Sequence, residues 1–159
     1  MRSIHQWLGE YGESHQNKTN KFIHWICVPL IFWSIMALLA SIPAPYLKSA
    51  FADNLQPYIH WGSLVMVLAL LFYIRLSPLI FFGILLFSIL CLQLVVWTNM
   101  LPLPLWATAL IIFVAAWIGQ FIGHNIEGKK PSFFKDLQFL LIGPAWLLAF
   151  IFKKAGIKF

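Results

Sequence analysis

The sequence predicts an all-α polytopic membrane helix bundle, with four transmembrane helices plus a short, proline-broken fifth apolar segment. Three observations predict it. The chain of 159 residues is 61% hydrophobic and only 10% charged, where a soluble domain carries about 25% charged residues. A domain this small has too much surface to hide such a deficit in one core. Apolar runs of about 20 residues, the length that crosses a bilayer, recur along the chain. Prolines stand between the runs, where helices stop or begin.

The first span is expected at about 22–42, ending before Pro43 and Pro45. The second is expected at about 58–76, and the third, after Ser77-Pro78, at 79–100. The fourth, after Pro102 and Pro104, is expected at 104–123. A fifth apolar run, residues 137–152, has Gly143-Pro144 near its middle. It is short for a crossing, so a re-entrant or interfacial segment competes with a fifth span. The N-terminal IHQWLGEYG reads as an amphipathic interfacial helix. It is too polar for the apolar stretch of a cleaved signal peptide. With no internal repeat and no linker, residues 1–159 read as a single integral membrane domain.

Lysine and arginine set the orientation. Arg2, Lys18 and Lys21, then Arg75, then Lys129, Lys130 and Lys135 fall on one side of a four-span chain, and Lys48 alone falls on the other. The basic side is expected in the cytoplasm. The host membrane is then the inner membrane of a bacterium or the endoplasmic reticulum of a eukaryote. The net charge of +6 needs no nucleic-acid partner on this reading. Cys27 and Cys91 lie inside apolar runs and read as buried small residues, not a disulfide.

This topology brings the start of span one and the end of span four to the same membrane face. Each carries a polar cluster. Gln120, His124 and Glu127 follow one another at i, i+4 and i+7, one stripe of a helix. His15 and His24 stand nine apart, so they converge only if the chain bends between them. Asn17, Thr19 and Asn20 are candidate caps for a helix starting at that bend. Asn20 shares a face with His24, and Asn20 and Gln120 are placed to orient ligating imidazoles by hydrogen bonds. Three histidines and a carboxylate at one face suit catalytic zinc or non-haem iron(II). A polar helix end meeting lipid headgroups is the plainer reading of either cluster alone. There is no HExxH, no GxSxG and no P-loop. His60 opens span two on the sparsely charged side and reads as interfacial, beside Tyr58 and Trp61.

Together the clusters resemble a known family. His15-x-Asn17-x-x-Asn20-Lys21-x-x-His24, followed by Pro29, is similar to the N-terminal signature of the membrane 2-hydroxy fatty acid dioxygenases. Gln120-x-x-Gly123-His124-x-x-Glu127-Gly128-x-x-Pro131, followed by Gly143-Pro144, resembles their C-terminal signature. Residues 45–115 match only in hydrophobicity. The resemblance implies Fe(2+)-dependent α-oxidation, in which a 2-hydroxy fatty acid and O2 give the one-carbon-shorter fatty acid and CO2. It implies His15, His24, His124 and Glu127 as iron ligands or their immediate neighbours, and leaves open which of them touch the metal. Lys21, Lys129 and Lys130 are candidates for holding the substrate carboxylate near the membrane lipid. Two other classes compete: a zinc-dependent membrane lipid hydrolase using the same residues, and a non-enzymatic scaffold or transporter subunit whose polar ends are anchors.

Overall fold

Asn17 starts one of the two longest described helices, each of 23 residues. Its side chain accepts from the backbone N–H of Thr19 at 2.8 Å and of Asn20 at 3.4 Å, satisfying donors that a helix start leaves open. The helix that follows runs Lys18–Ala40 and carries Pro29 in its interior. The computed structural model describes residues 3–128 and 139–158, and all regular structure among them is helical. In chain order, α1 is Ile4–Gly12, α2 Lys18–Ala40, α3 Pro45–Ser49, α4 Trp61–Leu76, α5 Pro78–Thr98, α6 Leu105–Glu127 and α7 Ile142–Lys154, with a 3-10 turn at Gln56–Tyr58.

Three of these helices, α2, α5 and α6, are long and apolar enough to cross a membrane. The expected second span is shorter: α4 has 16 residues, about 24 Å at the helical rise, against a hydrocarbon core of about 30 Å. Its start is fixed three residues later than expected because His60 caps it. The fifth apolar run also differs from expectation. Gly143-Pro144 lies in the first turn of α7 and does not break its middle. Proline is accepted there because the N–H it lacks has no helical partner in a first turn. The expected N-terminal helix is α1, begun by a Ser3–Gln6 capping box. Its buried Ile4, Leu8 and Tyr11 repeat at helical spacing and join α4, α5 and α7 in one apolar cluster.

The α2–α6 pair is the most extensive helix contact among the described residues. Glycines make it close. A Cβ on Gly119 would meet Cys27 Sγ at 2.7 Å, and one on Gly123 would collide with Asn20 Oδ1. Small residues four apart let two helix backbones approach. Cys27 thus has a packing role, and both cysteines are free and buried. A second cluster, around Met36, Met66, Cys91, Val95 and Ala109, ties α2, α4, α5 and α6 together at the other end.

Candidate metal centre

Three side chains from three places meet where α2 and α6 are closest. His15 comes from the segment between α1 and α2, His24 from the second turn of α2, and His124 from the last turn of α6. They are 3%, 1% and 4% exposed. One ligand atom of each lies within 4.8 Å of the others, a little wider than the about 4.2 Å that two bonds of about 2.1 Å to one ion can span. The ring centroids of His15 and His24 are 4.2 Å apart, and His124 is 5.5 Å from the first and 5.2 Å from the second.

Two of the rings are oriented by backbone carbonyls. His15 Nδ1 donates to Tyr11 O at 2.6 Å, and His24 Nδ1 donates to Asn20 O at 3.0 Å. A proton on Nδ1 leaves Nε2 with its lone pair in the neutral ring, the form in which imidazole binds a metal. The bend needed to bring His15 and His24 together is the non-helical stretch from Glu13 to Asn17.

Glu127 stands beside this group and is engaged otherwise. Its Oε1 accepts from Gln16 N at 2.7 Å. Its Oε2 accepts from Asn17 N and from Asn20 Nδ2, both at 2.9 Å. The same Asn20 amide reaches Ser14 O at 3.3 Å. The carboxylate therefore clasps the bend that carries His15. The grouping of possible metal ligands comprises the three histidines without it.

The other sequence candidates fall as follows. Asn20, on the same helix as His24, is fully buried with its side chain against Gly123 of α6. Gln120 is buried and shares with His24 the wall of a small cavity of about 30 Å³, room for a water-sized molecule. Tyr11, Val28, Ile31 and Trp117 complete most of that wall. Lys21 is half-buried at the start of α2, and Lys129 and Lys130 lie outside the described residues. His5 is exposed on α1 and does not join the group. His60 is at the opposite end of the bundle, 3% exposed. Its ring is drawn in because Nδ1 accepts from Ser63 N at 3.0 Å, capping α4.

Two residues join the site that sequence reasoning missed. Tyr11 stacks on His15 with centroids 4.1 Å apart, and Trp146 of α7 lies 5.5 Å from the same ring. The first had a signal, since Tyr11 precedes His15 by four residues. The second had none, because it depends on how α7 folds back.

Three imidazoles from this chain, two of them held by carbonyls, suit iron(II) or zinc and leave further positions on an ion for other ligands. A family model described as "2-hydroxy-palmitic acid dioxygenase Mpo1-like" matches residues 1–155. No curated protein and no solved structure matches the chain.

Proposed function

The chain belongs to the Mpo1-like family, and from that premise we propose that it is an iron(II)-dependent dioxygenase of 2-hydroxy fatty acids. The reaction is R–CHOH–COOH + O2 → R–COOH + CO2 + H2O. The bond between the first two carbons breaks. The substrate gives up the four electrons that O2 accepts, so no separate reductant is required. The observation that carries the reading is the convergence of His15, His24 and His124 within 4.8 Å, buried in the bundle.

On this reading the three histidines hold the ion through ring nitrogens. Iron supplies a site for binding the 2-hydroxy carboxylate and for activating O2, which redox-inactive zinc does not offer. The chain's own residues do the rest. Tyr11 O and Asn20 O fix the rotations of His15 and His24. Glu127 acts as a positioning residue: by holding Gln16 N, Asn17 N and Asn20, it sets where His15 stands. Gln120 places an amide in the cavity wall beside His24. Burial of the histidines excludes bulk water from the reacting centre. Lys21 is assigned to the substrate carboxylate at the membrane surface, and the histidine-bearing end faces the cytoplasm, where basic residues collect. Orientation of the bound substrate would supply much of the rate.

The test is stoichiometry. Protein loaded with iron(II) under argon is given 2-hydroxypalmitate and a measured amount of O2. One CO2 and one pentadecanoate per O2 support the proposal. Turnover that continues without O2, or that zinc sustains, would assign the site to hydrolysis.

A further inference from the structure

A second constructed cavity lies at the opposite end of the bundle, about 520 Å³ in volume. It sits among the C-terminal ends of α2 and α5, the start of α6, and the segment carrying α3 and His60. Its polar lining comprises Ser41, Lys48, His60 and Asn99. His60 is 97% buried, and its Nδ1 edge turns back onto α4, where it accepts from Ser63 N. That bond requires the unprotonated nitrogen, so the neutral ring carries its proton on Nε2. His60 is one of the residues lining the cavity, and its Nε2 is buried with no hydrogen-bond partner among the described residues. A buried donor in that state is unfavourable until it is satisfied.

Two further features have the same sign. Lys48 stands in the cavity wall. The first turn of α6, at Leu105 and Trp106, also opens on the cavity, and Pro104 supplies no side-chain cap to it. The start of a long helix presents unpaired N–H groups and the positive end of its dipole. None of the residues lining the cavity is acidic. Much of the remaining wall, including Val96, Met100 and Trp106, is apolar.

We propose that this cavity binds an amphiphile with an oxyanion head, the carboxylate or phosphate meeting His60 Nε2–H, Lys48 and the start of α6, with its hydrocarbon against the apolar wall. The two heads share one recognition chemistry and differ in source, a free fatty acid or an acidic phospholipid. The site is independent of the three-histidine centre and of the reaction assigned there.

The test uses the full chain in neutral detergent, titrated separately with palmitate, dioleoyl phosphatidate and inorganic phosphate, with bound ligand counted by native mass spectrometry. One saturable molecule per chain is expected for palmitate or for phosphatidate, and the preferred one identifies the source. Lys48→Gln and His60→Asn are each expected to weaken it at least about tenfold, the loss typical of one charge-assisted contact. Asparagine at 60 still caps α4 while removing the far nitrogen, and Lys48 caps nothing, so the two variants separate binding from folding. His124→Ala should leave this binding unchanged. Three results overturn the proposal: no saturable lipid anion, saturation by inorganic phosphate alone, or binding that ignores both variants. Loss of the bound anion in His124→Ala would place it at the other centre and overturn it equally.

Discussion

At the scale of single residues, the centre depends on hydrogen bonds that fix geometry before any ligand arrives. Glu127 is the clearest case. Its two oxygens take three N–H donors from residues 16, 17 and 20, and each such bond to a charged group is worth about 1.5–3 kcal/mol where it is shielded from water. Glu127 is half-exposed, so the lower end applies. Glu127→Gln keeps the size but gives the carboxamide one acceptor where the carboxylate has two. The variant is expected to lose about 1 kcal/mol of stability and to bind iron about 10- to 100-fold more weakly, the usual consequence of freeing a ligand's support. Melting temperature and iron titration read the two effects separately. A Glu127→Gln protein with intact iron affinity would show that His15 holds its place without the clasp. The motif spacing exposed Glu127 as a site residue, but not this task. The task depends on the path of residues 13–17, a loop whose course no periodicity specifies. The histidines were legible because a costly polar group in an apolar chain needs a reason.

At the scale of elements, α2 and α6 act as one unit. Their close approach at Gly119 and Gly123 brings the rings of His24 and His124 edge-on to each other, centroids 5.2 Å apart. Gly123→Ala is expected to push α6 away from Asn20 and to lower turnover at least about tenfold, since displacing a reacting group by about 1 Å can cost about a hundredfold. Gly119→Ala, against a single Cys27 sulfur, should cost less. A double variant, Gly119→Ala with Cys27→Ala, should recover toward wild type, because the second change removes the obstructing atom. Failure of that rescue in a helical, folded protein would separate the glycines from the spacing of the centre. The helix boundaries themselves were close to readable. Prolines and caps placed α2, α5 and α6 within a few residues, because those signals are local. The shortness of α4 and the position of Gly143-Pro144 at a helix start were not readable. The first follows from a histidine cap, and the second from a helix that begins later than its apolar run.

At the scale of the whole molecule, the histidines are not what holds the bundle together. Two of the apolar clusters, one around Tyr73, Ile80 and Ile84 and one around Met36, Cys91 and Ala109, contain none of them. Stripping metal with a chelator is therefore expected to leave the helical circular dichroism intact. It should lower the melting temperature only by the linkage term, about 2.7 kcal/mol if iron had been present at a hundred times its dissociation constant. Collapse of the helical signal on chelation would mean that the ion is structural. The fold also explains why the ends of the sequence carry the chemistry. Helices running up and down bring residues 15 and 124 to one end, while His60 and Lys48 are gathered at the other.

The central claim is that His15, His24 and His124 hold one iron per chain. The most direct measurement is the metal content of protein reconstituted anaerobically with iron(II), for the wild type and for His124→Ala. The account predicts about one iron per chain in the wild type and a large loss in the variant, with the helical signal of both unchanged. A folded wild type that retains no iron, or a His124→Ala variant that retains it fully, would contradict the account.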